Sequence, residues 1–366
     1  MSDQDLNLPS SDKPIKEIRK LHDGISDGLQ PLTPLDLGRV ENADDLLRAM
    51  AGTAFAGRSL GEAADVLEAM VKDESCYVVC TLSGAMTVAK MGLVLCDMID
   101  QGWIDAIVST GALMAHGFVE ATGRSHFKYD PSMPDRELYE KGYDRVYDTL
   151  ELESSLDDIE RIVYEVLQTL EPGTTFSTAG FHRRLGEWLI ENAEGRGVLK
   201  SAAEQEIPVY VPAFTDSEIG LDVALFRRRC LAEGKDYPRY DPFLDLEDYT
   251  ERVQQHETLG IFTVGGGVPR NWAQQVAPYL EIMRVRLQQD FPLRRFQYGV
   301  RLCPEPVHWG GLSGCTYREG VSWGKFVDPS EGGRFAEVLA DATVTWPILV
   351  KAVQERLAAA GWSRGP

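Results

Sequence analysis

Basic charge and long apolar runs are both scarce in this chain, and each shortage argues against a class of function. Lys and Arg together number 37 against 57 Asp and Glu, which gives a formal net charge of −20. Nucleic-acid binding needs a positively charged surface, so this balance argues against a nucleic-acid partner. No segment approaches the run of about 18 apolar residues that spans a membrane, and the N-terminal residues are polar and acidic. We therefore expect a cytoplasmic protein with no membrane partner.

Cysteine and histidine are too few and too scattered to predict a disulfide framework or a metal site. The six cysteines lie far apart in a long chain, as is typical of reduced cytoplasmic thiols. The six histidines form neither an HExxH motif nor paired His/Cys spacings, so the sequence predicts no metal. His116 and His308 could act as acid–base groups, although an isolated histidine is more often structural.

The chain does carry the pattern of an α/β protein. Hydrophobic residues make up 43% and charged residues 26% of its 366 residues, which is ordinary for a soluble globular chain. Short apolar segments alternate with helical patterns over most of the length, which predicts a doubly wound, mainly parallel, Rossmann-like sheet with an N-terminal helical extension. The predicted strands are 76–82, 105–110, 208–214, 259–264, 298–303 and 335–339.

The helices predicted between these strands follow apolar spacings of three and four residues. Ser155 and Asp158 have the spacing of a capping box, so we expect a helix to begin at Ser155. The segment 124–148 is polar and aromatic, and we predict an excursion outside the core. No repeat or linker divides the chain, so we predict a loose extension at 1–40 and one α/β domain at 41–366. The predicted helices are 44–73, 85–101, 155–170, 178–195, one from about 271, and 346–360.

Small or polar residues follow the predicted strands, where an open parallel sheet binds its ligands. Glycine turns that lead into helix N-termini favour a bound phosphate, and a dinucleotide such as NAD fits that description. The pattern is incomplete, because Val268, Pro269 and Arg270 follow the glycine triplet and the third glycine of GxGxxG is missing. Asp216 and Asp341 could be ribose-binding carboxylates or helix caps. The residues at these strand ends are Ser83, Gly84, Thr110, Gly111, Thr215, Asp216, Gly265, Gly266, Gly267, Asp341 and Ala342.

The segment 310–326 combines many glycines with one carboxylate, Glu319, and one lysine, Lys325, beside Trp323. A lysine among small and apolar neighbours loses hydration, which lowers its pKa and makes it a nucleophile able to form Schiff bases. The same pattern also suits a surface lysine after a glycine turn. The residues alone leave both interpretations open.

Five segments together resemble the deoxyhypusine synthase family over roughly residues 60–360. They are 81–87, 108–112, 212–216, 264–268, and the block 313–325 with Asp341 and Ala342 downstream. The block contains Gly-Val-Ser-Trp-Gly-Lys at 320–325, with a carboxylate six residues before the lysine. The resemblance implies that NAD is held by Ser83, Gly84, Thr110, Gly111, Asp216, Gly265, Gly266, Gly267, Gly310, Asp341 and Ala342.

The same resemblance implies a reaction and a set of amine-binding residues. In the family, NAD accepts hydride from spermidine, a lysine attacks the resulting imine, diaminopropane leaves, and an acceptor amine takes the four-carbon group from the enzyme. Lys325 would be the catalytic lysine, and the family's homotetrameric assembly would apply. The substrate-binding residues would be Glu319, Trp323, Ser313, Asp222 and Asn271.

The chain departs from the family pattern mainly around the amine pocket. Leu312 and Asn271 replace an aspartate and a histidine of eukaryotic members, and His116 replaces a glutamate on the NAD side. Gly220-Leu221-Asp222 leaves one carboxylate missing or displaced by a residue. The acceptor is therefore open between a protein lysine and a small diamine such as putrescine, which would give homospermidine. A non-catalytic protein that binds NAD or polyamine, and an unrelated nicotinamide dehydrogenase, stay as alternatives.

Overall fold

The apolar segments form a six-stranded sheet in which every neighbouring pair is parallel, as predicted. The structure is a computed structural model that describes residues 21–364. The five other strands of the described residues form a three-stranded and a two-stranded side sheet. In chain order the strands are β1 (Cys76–Leu82), β2 (Ala106–Ser109), β3 (Phe127–Lys128), β4 (Tyr143–Val146), β5 (Thr149–Leu152), β6 (Thr175–Phe176), β7 (Val209–Tyr210), β8 (Arg239–Tyr240), β9 (Thr258–Val264), β10 (Phe296–Leu302) and β11 (Arg334–Val338).

The strand order places a topological switch at the centre of the large sheet. The order is β11-β10-β9-β1-β2-β7, so the chain moves outward from β1 in one direction and then returns to build the other half from β9. β1 and β9 pair along their whole lengths, from Cys76 opposite Thr258 to Leu82 opposite Val264. Ligands of doubly wound sheets bind where the order reverses, beyond the carboxyl ends of the strands. The ends of β1 and β9 therefore mark the expected crevice.

Helices cover both faces of the large sheet because the side chains of its strands alternate between two buried clusters. Val78, Cys80 and Leu82 belong to one cluster, and Tyr77 and Val79 belong to the other. The helices are α1 (Ala43–Ala51), α2 (Phe55–Lys72), α3 (Gly92–Asp100), α4 (Gly111–Ala121), α5 (Asp135–Glu140), α6 (Glu153–Gln168), α7 (Thr178–Asn192), α8 (Val198–Glu204), α9 (Glu218–Ala232), α10 (Pro242–Gln254), α11 (Gly267–Gln274), α12 (Val276–Arg286), α13 (Tyr317–Ser322) and α14 (Ala342–Ala359). None of these helices is apolar over a length that would cross a membrane.

Buried charge ties the N-terminal helices to the last helix. Arg356 of α14 is 3% exposed and donates hydrogen bonds to Asp44, Asp65 and Glu68 at 2.7–3.0 Å. Leu47 of α1 is fully buried in the same region. Helices α1 and α2 are thus packed parts of the fold. Residues 1–20 lie outside the described part of the chain, so the predicted extension at 1–40 stays a prediction.

Several predicted boundaries are wrong because local geometry overrides the periodic pattern. The helix predicted from residue 85 begins at Gly92, after turns in which Gly84 and Lys90 have positive φ. The capping box at Ser155 does not form: α6 begins at Glu153, and Asp158 instead pairs with Arg124 at 2.7 Å. β7 keeps only two residues of the predicted strand 208–214.

The predicted excursion is a separate small sheet. β3, β5 and β4 pair antiparallel in that order, and their hydrogen bonds hold residues 127–152 together outside the parallel sheet. Leu150 of β5 and Leu138 of α5 are both buried. All six cysteines, which lie among the described residues, are free thiols.

Candidate active site

The serine after β1 and the glycines after β9 contact one another at the switch point. The amide of Gly266 donates a hydrogen bond to the Ser83 hydroxyl oxygen at 2.8 Å. Gly265 has a φ of +80°, and a Cβ there would lie 2.3 Å from that hydroxyl oxygen. A Cβ on Gly266 would lie 2.5 Å from the Cα of Ser313. Glycine is therefore required at both positions, and it brings the loop that carries Ser313 against the end of β9.

The other residues predicted to hold the cofactor follow neighbouring strands at the same edge of the sheet. Gly84 follows Ser83, and Gly267 is the first residue of α11. Thr110 precedes the N-terminus of α4, and its hydroxyl is buried with no hydrogen-bond partner among residues 21–364. Gly111 packs so closely on Ser217 that a Cβ would lie 2.5 Å from that side chain.

The two candidate ribose carboxylates differ in position. Asp341 caps α14, because its side chain accepts a hydrogen bond from the amide of Thr343 at 2.8 Å, and Ala342 is the first residue of that helix. Asp216 is exposed and is not the cap of α9, since Ser217 fills that role. The capping alternative thus holds for Asp341 and fails for Asp216, whose carboxylate stays available for a ligand.

A cavity of about 310 Å³ lies between α11 and the glycine-rich segment. Five of the predicted residues line it: Lys325, Glu319, Trp323 and Asn271 from the amine-binding set, and Gly310 from the NAD-binding set. Ser313 does not line the cavity, and its loop packs against Gly266 at the end of β9. The remaining lining residues are Gln275, Val307, Gly311, Leu312, Cys315 and Gly320.

Lys325 has the environment of a nucleophilic amine. The residue is 8% exposed, its Nζ donates a hydrogen bond to Asn271 Oδ1 at 3.0 Å, and it lies 5.9 Å from the centre of the Trp323 ring. Burial lowers the pKa of Lys325, while nearby Cys315 and Glu319 oppose that shift and Arg270 adds to it. A lowered pKa means that a larger fraction of the amine is neutral at a given pH.

Helix α13 places the carboxylate opposite this lysine. The Thr316 hydroxyl caps the helix by accepting a hydrogen bond from the Glu319 amide at 3.0 Å. The Glu319 side chain stays exposed toward the cavity, where a carboxylate can hold a cationic amine. Burial raises the pKa of the neighbouring Cys315 thiol, and Glu319 adds to that rise. The described residues that line this cavity therefore include one acidic side chain and one lysine.

The sequence reasoning missed two buried arginines that hold the catalytic segment in place. Arg270 is 2% exposed, donates a hydrogen bond to the Cys315 carbonyl at 2.7 Å and lies 5.1 Å from the centre of the Tyr317 ring. Arg301 is 1% exposed and donates to the carbonyls of Ser313 and Cys315. Arg270 lies three residues after the glycine triplet, and this proximity is the one local signal that could have indicated its role.

Glu337 links the second arginine to the start of α13. Arg301 pairs with one carboxylate oxygen of Glu337, and the other oxygen accepts a hydrogen bond from the Tyr317 amide at 2.9 Å. Because Arg301 lies on β10 and Glu337 on β11, two adjacent strands fix the loop between them. The position of Glu319 and Lys325 therefore depends on residues far from the motif.

Asn271 offers a direct test of the state of Lys325. Asn271→Asp would place a carboxylate beside the lysine amine, which favours the charged form of the amine and should raise the pKa of Lys325. The reaction of Lys325 with trinitrobenzenesulfonate, followed by peptide mass spectrometry, should then begin at correspondingly higher pH. Asn271→Ala removes the acceptor without adding charge, so Lys325 should not need a higher pH to react. The same pH dependence of the reaction in wild type and Asn271→Asp would contradict a contact between Asn271 and Lys325.

Asp222 is not part of this cavity. It lies on α9 with Glu160, Glu218 and Arg229 nearby, and burial, followed by the charge of Glu160, raises its pKa to about 7. The predicted role in substrate binding therefore has no support within this chain's own cavity. The raised pKa also means that ionisation of Asp222 opposes folding.

Asp222→Asn should stabilise the protein at alkaline pH. Because the folded pKa lies above the unfolded value, the stability of the wild type falls as pH rises from the unfolded pKa through the folded one. The melting temperature of the variant should exceed that of wild type by more at about pH 8.5 than at about pH 5.5. Asp290→Asn, at an exposed position, should show no such difference. A difference in melting temperature between Asp222→Asn and wild type that is the same at both pH values would argue against the raised pKa of Asp222.

Comparison with known proteins identifies the family. The family model described as deoxyhypusine synthase matches residues 45–353. The chain is 33% identical over 327 residues to a probable deoxyhypusine synthase 2 of Methanosarcina acetivorans, covering 89% of this chain and 90% of that one. It is 31% identical over 311 residues to a deoxyhypusine synthase-like protein of Caulobacter vibrioides, covering 84% and 82%.

A solved structure supports the same fold. A structure assigned to deoxyhypusine synthase from Entamoeba histolytica aligns with a TM-score of 0.56 at 13% identity, covering 88% of this chain and 96% of that chain. The resemblance noted in the sequence is thereby confirmed: this chain belongs to the deoxyhypusine synthase family.

Proposed function

We propose that this protein is a transferase that moves a four-carbon aminobutyl group from spermidine, or a related polyamine, to an acceptor amine through an imine on Lys325. The observation that carries the proposal is the environment of Lys325, a buried amine with a lowered pKa that lines a cavity containing Glu319 and Trp323. Membership of the deoxyhypusine synthase family supports the same reaction class.

The residues at the edge of the sheet fit NAD as the cofactor. Thr110 offers a buried hydroxyl with no partner in the described chain, α4 presents its N-terminal amides beside it, and glycines at the switch point leave the backbone accessible. Bound NAD would take up a hydride from the carbon next to the secondary amine of the donor and return it at the end of the cycle. Asp216, Asp341 and Ala342 would complete the site at neighbouring strand ends.

The side chains of the cavity account for the covalent step. Neutral Lys325 attacks the imine carbon of the oxidised donor, and its Nζ forms the new C=N bond as the C=N bond to the diaminopropane nitrogen breaks. The two protons lost by the lysine nitrogen end on the leaving amine, which departs as diaminopropane. Asn271 orients the lysine lone pair through the hydrogen bond at 3.0 Å. Glu319 holds the ammonium group of the substrate, and Trp323 covers its alkyl chain. The acceptor amine then displaces Lys325 by the same chemistry in reverse.

Two acceptors remain within this proposal. A protein lysine would make the enzyme a deoxyhypusine synthase in the strict sense, whereas putrescine would make it a homospermidine synthase. Leu312 and Asn271 line the cavity where eukaryotic family members carry an aspartate and a histidine, which favours a less charged acceptor pocket. We infer a cytoplasmic homotetramer on family grounds.

The experiment measures products and cofactor balance together. The purified protein is incubated with NAD and spermidine, with and without putrescine, and diaminopropane, homospermidine and NADH are quantified. Release of diaminopropane without net NADH supports the transferase, and homospermidine identifies the acceptor. Net NADH would favour a dehydrogenase. NAD binding with no product from any polyamine would favour a non-catalytic binding protein.

A further inference from the structure

Three side chains from separate elements converge beneath the small antiparallel sheet. His116 comes from α4, His126 from the loop before β3, and Glu151 from β5. His116 Nδ1 lies 2.5 Å from one Glu151 oxygen, and His126 Nε2 lies 3.1 Å from the other. The side chains of His126, Glu151 and His116 are 0%, 1% and 14% exposed, and one potential ligand atom from each lies within 4.8 Å of the others.

The surroundings of this cluster carry more negative than positive charge. Asp144 and Glu218 both lie close enough to interact with His116. One oxygen of Glu218 is buried with no hydrogen-bond partner among the described residues. A buried carboxylate oxygen without a partner is costly, and a cation nearby lowers that cost.

We propose that His116, His126 and Glu151 bind a divalent first-row metal cation, with Zn²⁺ as the representative ion. Two imidazole nitrogens and one carboxylate oxygen are the ligand set of many zinc and iron sites that keep an open coordination position. Asp144 and Glu218 add negative charge near His116, and carboxylates are common in the outer shell of a metal-bound histidine. The three ligands come from 36 residues of chain and have no motif spacing, so only the fold brings them together.

Lys90 contacts the ring nitrogen of His126 that would not bind the metal. Its Nζ lies 2.9 Å from His126 Nδ1 and 3.1 Å from a Glu120 oxygen. When His126 binds a metal through Nε2, its proton moves to Nδ1, and an ammonium group can no longer donate to that nitrogen. Lys90 then turns to Glu120 alone. Removing the lysine charge should therefore strengthen metal binding.

The proposed metal would attach helix α4 to the small sheet. α4 begins at Gly111, next to Thr110, and His116 lies between one and two turns further along. Glu151 belongs to the central strand of the three-stranded sheet. The metal would thus hold the N-terminus of α4 in position while lying outside the Lys325 cavity. The inference does not depend on the proposed transfer reaction.

The test is zinc binding by the full-length protein after chelation and dialysis. Competition against a chromogenic chelator should show one equivalent of Zn²⁺ per chain, and Co²⁺ should give the visible absorption of an imidazole-coordinated ion. Glu151→Gln and His126→Gln should each weaken Zn²⁺ binding by about 100-fold or more. Loss of an outer-shell partner alone typically costs about 10–100-fold in metal affinity, and loss of a ligand should cost at least as much. Lys90→Met should tighten it, and His308→Gln, at an exposed histidine, should leave it unchanged.

A folding control and two binding results decide whether these three residues form a metal site. Circular dichroism of the Glu151→Gln variant establishes that it is folded, which is expected because glutamine retains the size of glutamate and one acceptor oxygen. Absence of Zn²⁺ and Co²⁺ binding by wild type would overturn the proposal. Binding of equal strength in wild type, Glu151→Gln and His126→Gln would overturn it as well, because the ion would then lie elsewhere.

Discussion

Replacing Lys325 with alanine should abolish the covalent adduct that borohydride traps on this protein. Wild type incubated with NAD and spermidine and then reduced should gain an aminobutyl group on Lys325, detected by peptide mass spectrometry. The Lys325→Ala variant should show none, and its rate of diaminopropane release should fall by roughly 10³-fold or more, because a covalent nucleophile has no substitute in the site.

The physical basis is the environment of the amine. Only the neutral form of a lysine attacks an imine carbon, and burial of Lys325 lowers its pKa. The fraction of neutral amine rises as pH increases through that lowered pKa, so the yield of adduct should rise over the same interval. An exposed lysine such as Lys351 keeps its hydration and should not compete.

Two controls separate chemistry from structure. Lys325→Arg retains a long cationic side chain but has no nucleophilic amine, so it should keep the fold while losing the adduct. Lys351→Ala should behave as wild type in both assays. An adduct that persists in Lys325→Ala, or that maps to another residue of wild type, would remove Lys325 from the mechanism. Wild type that binds NAD and gives no adduct with any polyamine would count against the transferase itself.

The sequence predicted the parts of the site that depend on neighbours along the chain. The glycines, carboxylate, tryptophan and lysine of 310–326 lie within one segment, and the structure brings Lys325, Glu319 and Trp323 to one cavity. The parallel sheet was also predictable, because its buried strands read as short apolar segments. Both predictions depend only on residues that are close together in the sequence.

The parts that were missed depend on contacts between distant segments. Arg301 is one polar residue in an apolar strand, and its role exists only because Ser313, Cys315 and Glu337 surround it. Asp222 was assigned from the family resemblance, as a carboxylate displaced by one residue after Gly220, yet its side chain lies among the acidic residues of α9 and α6. The β3–β5–β4 sheet was not predicted because its strands are only two to four residues long.

Arg301→Met should be among the most destabilising single substitutions in this protein. The arginine is 1% exposed, and its removal leaves Glu337 without its ion pair and the Ser313 carbonyl without a donor, while the Cys315 carbonyl keeps only Arg270. Breaking one partner of a buried ion pair typically costs about 3–5 kcal/mol in the free energy of unfolding. Urea unfolding of the variant should show a loss of that size, whereas Arg334→Met at an exposed position on β11 should be nearly neutral.

The same substitution tests whether the two strands position the lysine. With Arg301 gone, the Ser313 carbonyl loses its donor and the Cys315 carbonyl keeps only the hydrogen bond from Arg270. The adduct on Lys325 should therefore form more slowly even where the variant is fully folded. Glu337→Gln retains an acceptor for the Tyr317 amide and should cost less, and the double variant should cost less than the sum of the two because the pair is already broken. Additive losses would mean that Arg301 and Glu337 act independently. A folded Arg301→Met variant with the wild-type rate of adduct formation would mean that the loop holds Lys325 without them.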